Sequence, residues 1–219
     1  MLFRSRVGLG GHEDLNHAAF ARHVHAMDDA DERVGLEHAI DRVRRVEGFI
    51  DRIEVAAETA RRLGRTVTLE VLGSGPLKAA MEEQAGRLAG QVKVRFAGFL
   101  DQERLPQAYR QGKLFLFPTR WDPWGVVANE SCAAGMPVLT TAHAGVAGEI
   151  VLDGQSGHVL PLSVEAWAEA AARLLSDPER WQRMSQAARQ GVDGYTYQEA
   201  ARGLADAVRF ALASDGRRQ

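Results

Sequence analysis

Two carboxylates, Asp122 and Glu130, enclose seven residues of the stretch PTRWDPWGVVANESCAAGMPVL (118–139). Asp-Pro reads as a helix N-cap followed by proline at the first helical position, where its missing N–H is no loss. The helix is predicted to run through Val126, Val127, Glu130 and Cys132 and to stop near Gly135, with Pro137 beyond it. Asp122 then marks the helix mouth, and Glu130 lies roughly 12 Å farther along the axis at ~1.5 Å per residue. Acids so separated suit a long ligand with several hydroxyls better than one small reacting group. A capped helix carrying a solvated Glu accounts for the same residues without any ligand, so the surroundings must decide.

Those surroundings alternate between two periods. Ile50, Ile53, Ala57, Ala60 and Leu63 recur at helical spacing and stop at Gly64. TVTLEVLG (66–73) reads as a strand, followed by a turn at Gly73–Pro76 and a helix to about Leu88. The strand VKVRFAG (92–98), a helix over about 101–111 and the strand KLFLFPT (113–119) come next. After the helix at Asp122 comes PVLTT (137–141). Strands and helices alternating over short connections predict an α/β fold, a Rossmann-like parallel sheet with helices on both faces. Ligands of such sheets bind at the carboxyl ends of the strands, where Gly73–Gly75, Gly98–Leu100, Thr119–Asp122 and His143–Gly145 fall. The C-terminal third is helical. Val164, Trp167, Ala171 and Leu174 form one apolar stripe, Asp177-Pro178 repeats the cap-and-proline start, and TYQE (196–199) is a capping box opening a last helix over about 197–212. Leu204, Val208 and Leu212 share one face of it. Residues 1–33 show no sustained strand and read as an irregular arm, leaving 34–219 as the domain.

Composition narrows the classes. Of 219 residues, 27 are basic and 29 acidic, so no basic field points to nucleic acid or anionic lipid. The single cysteine, Cys132, rules out an internal disulfide and fits a reducing cytoplasm. No apolar run approaches the ~20 residues of a membrane span, and no signal peptide is visible. Gly73-x-Gly75 is half of a dinucleotide fingerprint, but Lys78 stands where the third glycine belongs. Asp29-Ala30-Asp31 lacks an apolar strand leading into it, and His17, His23 and His25 lack a fourth partner, so no metal site is expected. Trp121 and Trp124 read first as packing anchors of the turn.

FPTRWDPWGVVANESCAAGMPVL resembles the donor-binding motif of the family 4 retaining glycosyltransferases, P-S-x-x-E-P-F-G-x-x-x-x-E-A-x-A-x-G-x-P-V. AGVAGEIVLDGQSGHVLPL (144–162) is similar to that family's G-G-x-x-E-I-V-x-D-G-x-x-G stretch. LEVLGSGP, VRFAGFL and the Asp177-Pro178 helix fall in family order, and the likeness covers about residues 36–212. It implies half of a GT-B fold with a helical C-terminal extension. It also implies a donor that is a nucleoside diphosphate sugar, transfer with retention, and no further cofactor. Carried over, Asp122 would bond the donor sugar and Glu130 the nucleotide ribose. The mouth at Trp124, Gly125 and Val126 would face the diphosphate, and Gly98, Phe99 and Leu100 the base. The Ala144–Gly145–Val146 loop would meet the sugar or diphosphate, with Gly73 joining the donor set.

The family's G-R-L-x-x-x-K-G loop corresponds to DRVRRVEG (41–48), keeping Arg42 and Gly48 but placing Asp41 and Glu47 where the family has Gly and Lys. Arg42 is thereby implied in catalysis and Glu47 in the donor site. The acceptor-binding half of a GT-B enzyme has no counterpart in these residues, so a protein partner or self-association is expected to replace it. The alternatives are a catalytically silent nucleotide-sugar-binding module, one subunit of a two-chain transferase, and a truncated frame.

Overall fold

Asp51 opens the first described helix. Its Oδ1 accepts the N–H groups of Ile53 at 2.8 Å and Glu54 at 3.2 Å, and Gly64 closes the helix in the left-handed region at φ 63°, so α1 runs Arg52–Leu63. The computed structural model describes residues 2–4, 51–73, 75 and 77–215. After α1 come β2 (Val67–Leu72), α2 (Lys78–Arg87), β3 (Val92–Gly98), α3 (Leu105–Gln111), β4 (Phe115–Phe117), α4 (Val126–Ala133), β5 (Val138–Thr140) and β6 (Gly157–Val159). With β1 (Leu2–Arg4) these strands form one parallel sheet in the order β3-β2-β1-β4-β5-β6. The order reverses between β1 and β4, the arrangement that opens a ligand crevice at the carboxyl edge of doubly wound sheets.

Strand alternation sends side chains to two cores. Leu114, Leu116 and Leu139 bury with Ile53, Ala57 and Ala60 of α1 and with Trp167 and Leu174. Phe115, Phe117 and Val138 point the other way and bury with Val127, Ala128, Cys132 and Tyr109. The expected parallel α/β sheet with helices on both faces is therefore present. Two strands were not anticipated. Leu2–Arg4 pairs with both β2 and β4, so the reading of an irregular arm does not hold for these three residues; the rest of the 1–33 reading lies outside the described residues. Gly157–Val159 adds β6 beside β5, Leu139 lying opposite His158.

The C-terminal helices follow their caps. Ser163 opens α5 (Val164–Ser176), and Asp177 opens α6 (Pro178–Val192) by accepting from Arg180 N–H at 2.9 Å, with Pro178 in the first turn. Ser185 of α6 donates its hydroxyl to Gly135 O at 2.6 Å, tying α6 to the end of α4. Thr196 accepts Glu199 N–H at 3.2 Å where α7 (Tyr197–Asp215) begins. The stripe of α7 is not buried: Leu204 is 70%, Val208 52% and Leu212 71% exposed. No helix among the described residues is long and apolar enough to cross a membrane.

On the solvent side of α1, Glu58 accepts from Arg61 Nε at 2.6 Å and from Arg62 Nε at 2.8 Å. The Arg61 hydrogen bond, foremost, holds the Glu58 carboxyl down at about 2, below its ordinary 4.5. A carboxyl depressed in the folded state stabilises fully above its unfolded value and loses that contribution as pH falls through the folded one. Glu58→Gln should therefore flatten the acid loss of stability between pH 4.5 and 2 by no more than about 1 kcal/mol, the surface pair being screened. Urea midpoints at pH 7 and pH 3 measure it, and an identical drop in both proteins would refute it.

Candidate functional site

At the carboxyl edge of the sheet, the segments leaving β4 and β5 are laced together. Thr141 donates its hydroxyl to Thr119 O at 2.6 Å, and Thr140 donates to Phe117 O at 3.2 Å. Asp122 N–H donates to His143 O at 3.2 Å, Gly145 N–H to Asp122 O at 2.9 Å and Val146 N–H to Trp124 O at 2.8 Å. Asp122 is thus held by its backbone before its side chain does anything.

Asp122 is not the N-cap of α4. Its Oδ1 accepts Trp124 N–H at 2.9 Å, closing a local turn two residues long. The cap is Gly125, at φ 101°, so the helix starts three residues later than Asp-Pro suggested. A side chain at Gly125 is excluded twice, by this φ and by Phe117 Cε1, 2.9 Å from where its Cβ would stand. Among the described residues, Asp122 Oδ2 meets no donor, and the N–H groups of Gly125, Val126 and Val127 meet no acceptor. Of the three mouth residues expected to offer N–H groups, Trp124 has spent its own on Asp122. Its ring packs on Tyr195 at 5.4 Å, whereas Trp121 is 60% exposed. Open N–H groups and the positive end of the α4 dipole suit an anion, and a free carboxylate oxygen beside them suits hydroxyls.

Glu130 lies one turn inside α4, and its Oε2 accepts the hydroxyl of Tyr109 at 2.9 Å. Tyr109, on α3, was absent from the sequence reading. Its spacing from Leu105 looks like an ordinary core stripe, and only the contact between α3 and α4 shows the polar tip. Cys132 lies on the buried face of the same helix. Burial pushes its thiol up to about 12, which leaves it a core residue rather than a nucleophile.

The remaining candidates divide. Gly73 N–H donates to Gly98 O at 2.7 Å, bringing the ends of β2 and β3 together. Beyond them Phe99 is 78% exposed, and Leu100 packs on the α4-side core. Ala144 and Val146 are buried, and the N–H groups of Ala144, Gly145 and Val146 all bond to backbone carbonyls. That loop shapes the site's wall with its donors already engaged. Arg42 and Glu47 lie outside the described residues. Among the described residues no group of three His, Cys, Asp or Glu could hold a metal ion.

Residues 38–191 match the model of the family described as glycosyl transferases group 1. The chain belongs to this family. Among curated relatives of this glycosyl transferase group 1 chain, the alpha-D-kanosaminyltransferase of Streptomyces kanamyceticus is 31% identical over 161 residues, 71% of this chain and 41% of that protein. The glycogen synthase of Mycobacterium tuberculosis is 32% identical over 182 residues, 82% and 43% of the two chains. The chain thus spans about two fifths of the length of these relatives. A sucrose-phosphate synthase from Thermosynechococcus elongatus superposes with a TM-score of 0.62 at 24% identity, over 74% of this chain and 42% of that one. The C-terminal domain of a group 1 glycosyl transferase from Francisella tularensis gives 0.57 at 24%, over 64% and 74%. A pneumococcal O-GlcNAc transferase in complex with UDP and GlcNAc gives 0.61 at 20%, over 73% and 32%. The fold is that of a GT-B C-terminal domain.

Proposed function

We infer that this group 1 domain is the donor-binding half of a retaining, family 4 glycosyltransferase. It would bind a nucleoside diphosphate sugar and transfer the sugar to an acceptor. The observation that carries the reading is the mouth of α4. There, among the described residues, three N–H groups without an acceptor stand between Asp122, one of whose oxygens meets no donor, and Glu130 one turn inside. The mouth receives the diphosphate and stabilises the charge that grows on it as the glycosidic bond lengthens. Asp122 Oδ2 holds the sugar hydroxyls and Glu130 the ribose. No cofactor beyond the donor is needed for these roles. Arg42 would complete the diphosphate side, and Glu47, standing where the family has Lys, would oppose it as a like charge.

The exposed stripe of α7 supports a protein partner, or a second copy of the chain, that completes the acceptor side. A cytoplasmic setting agrees with the nucleotide-sugar donor and the lone thiol.

Calorimetric titration of UDP, GDP and ADP and their glucose conjugates tests the division of roles. Glu130→Ala should weaken the bare nucleotide by about 1–3 kcal/mol, as expected for charged hydrogen bonds to hydroxyls. Asp122→Ala should weaken the sugar-bearing donor more than the bare nucleotide. Equal losses on bare nucleotide would contradict the assignment.

A further inference from the structure

We propose that Trp121 and His143 form a platform for a pyranose ring of the acceptor, beside the donor sugar at the carboxyl edge of the sheet. The inference rests on the reading of Asp122 as the group that holds the donor sugar. It adds the acceptor class, a carbohydrate with an accessible hexopyranose rather than an open-chain polyol. Two matching turns carry the platform. Thr119 Oγ1 accepts the N–H of Trp121 at 3.2 Å, and Thr141 Oγ1 accepts the N–H of His143, also at 3.2 Å. The turns are tied to each other, since the Thr141 hydroxyl donates to Thr119 O at 2.6 Å. One residue farther, the parallel bridge between Asp122 and Ala144 keeps the same register, so Trp121 stands opposite His143. In-register residues of paired parallel segments share a face about 4.8 Å apart, which sets the indole beside the imidazole.

Both residues are exposed, and neither ring meets a partner among the described residues. A packing anchor behaves otherwise: Trp124, three residues on, lies against Tyr195. Successive residues of an extended stretch send their side chains to opposite sides. Asp122 turns its Oδ1 to Trp124 N–H at the mouth of α4, so Trp121 stands outside the donor groove, one residue from the donor sugar's carboxylate. A ring seated there lies next to the donor, where an acceptor belongs. The indole offers a broad apolar face to the C–H face of a pyranose, and an imidazole nitrogen can bond a hydroxyl at its edge. Exposed aromatics are also what a protein partner covers. A protein contact has no selectivity between a ring sugar and sorbitol, which carries a hexose's hydroxyls without the ring face.

The test uses the full chain and the indole N–H resonances of its four tryptophans, that of Trp121 being the one Trp121→Leu removes. Methyl α-D-glucopyranoside, methyl α-D-mannopyranoside and N-acetylglucosamine are titrated through the millimolar range, with sorbitol as the control. At least one pyranoside should move the Trp121 resonance, and sorbitol should not. Affinities of the variants are read by saturation transfer from protein to sugar. Trp121→Leu should weaken the pyranoside about three- to tenfold, and His143→Ala about two- to fivefold. Trp121→Tyr keeps a flat ring and should stay within about twofold of the wild type. The response should persist when whichever of UDP-, GDP- and ADP-glucose binds tightest is present at saturation. Loss of the response under saturating donor puts the sugar in the donor groove and overturns the platform while leaving the donor reading intact. So does a Trp121 resonance that ignores every pyranoside or moves equally with sorbitol, or full affinity in Trp121→Leu. A chain that binds none of the three donors overturns the donor reading, and the assignment to an acceptor with it.

Discussion

Trp167→Ala should destabilise the chain by about 3–5 kcal/mol, the range for deleting a large aromatic from a packed core. Trp167 is fully buried on α5, in the cluster that also holds Ile53 and Ala57 of α1 and Leu69 of β2. Truncation removes the apolar contacts between α5 and this cluster, and neighbours fixed on a helix and on a sheet have little freedom to collapse into the void. It also removes a hydrogen bond. The indole Nε1–H donates to Pro161 O at 2.8 Å, and that exposed carbonyl keeps, among the described residues, only the Ser163 N–H, also at 2.8 Å. Trp167→Phe separates the two contributions by keeping a ring while deleting the N–H, and should cost about half as much. Urea unfolding followed by circular dichroism measures both. A loss below about 1.5 kcal/mol for alanine would show that the α1–α5 face tolerates repacking and is not the anchor of the domain. Nucleotide affinity of the folded protein should stay as it was, because the helix that carries Glu130 packs in the other core and Asp122 lies at the carboxyl edge of the sheet.

What could be read from sequence follows how local each determinant is. Asp177-Pro178 is a cap because its carboxylate accepts the Arg180 N–H, with no competing donor among the described residues, and the stripe from Val164 to Leu174 declares its face by spacing alone. Asp122-Pro123 looks the same, yet here the carboxylate closes on Trp124 N–H and the helix waits for Gly125, whose positive φ inserts a second turn. An Asp before Pro is compatible with both outcomes, and Gly125 decides between them. Leu2–Arg4 and Gly157–Val159 are three-residue strands, too short for a period to register, and their pairing partners are distant in the chain. The polar contact of Tyr109 was hidden for a related reason: a phenol at core spacing reveals it only when α3 meets α4. For α7 the stripe was legible as apolar, but no spacing rule says whether such a face is covered within the chain.

Gly145→Ala should be the most damaging one-carbon change at the site, with a loss of about 3–5 kcal/mol and of measurable nucleotide binding. Overpacking against rigid atoms costs about 1–3 kcal/mol, and each backbone hydrogen bond lost adds ~1. A Cβ at Gly145 would stand 2.1 Å from Pro123 O, 2.7 Å from Pro123 C and 2.9 Å from Trp124 Cα. All three are backbone atoms, so no rotamer change relieves the clash. Relief requires the two laced segments to part, which breaks Gly145 N–H to Asp122 O and Val146 N–H to Trp124 O. Those bonds set the height of Asp122 and the entry of the chain into α4, so the carboxylate and the open N–H groups shift together. The effect belongs to space and not to backbone conformation, because Gly145 is not among the glycines with positive φ. Gly148→Ala is the matched control. Its Cβ meets nothing within 4 Å, but φ is 82°, so alanine should cost only about 1–2 kcal/mol of conformational strain and leave binding unchanged. Urea unfolding and calorimetry on the two variants compare them directly. If Gly145→Ala loses no more stability than Gly148→Ala and still binds nucleotide like the wild type, the two segments can slide apart without disturbing the site, and the lacing of β4's exit to β5's exit does not hold Asp122 in place.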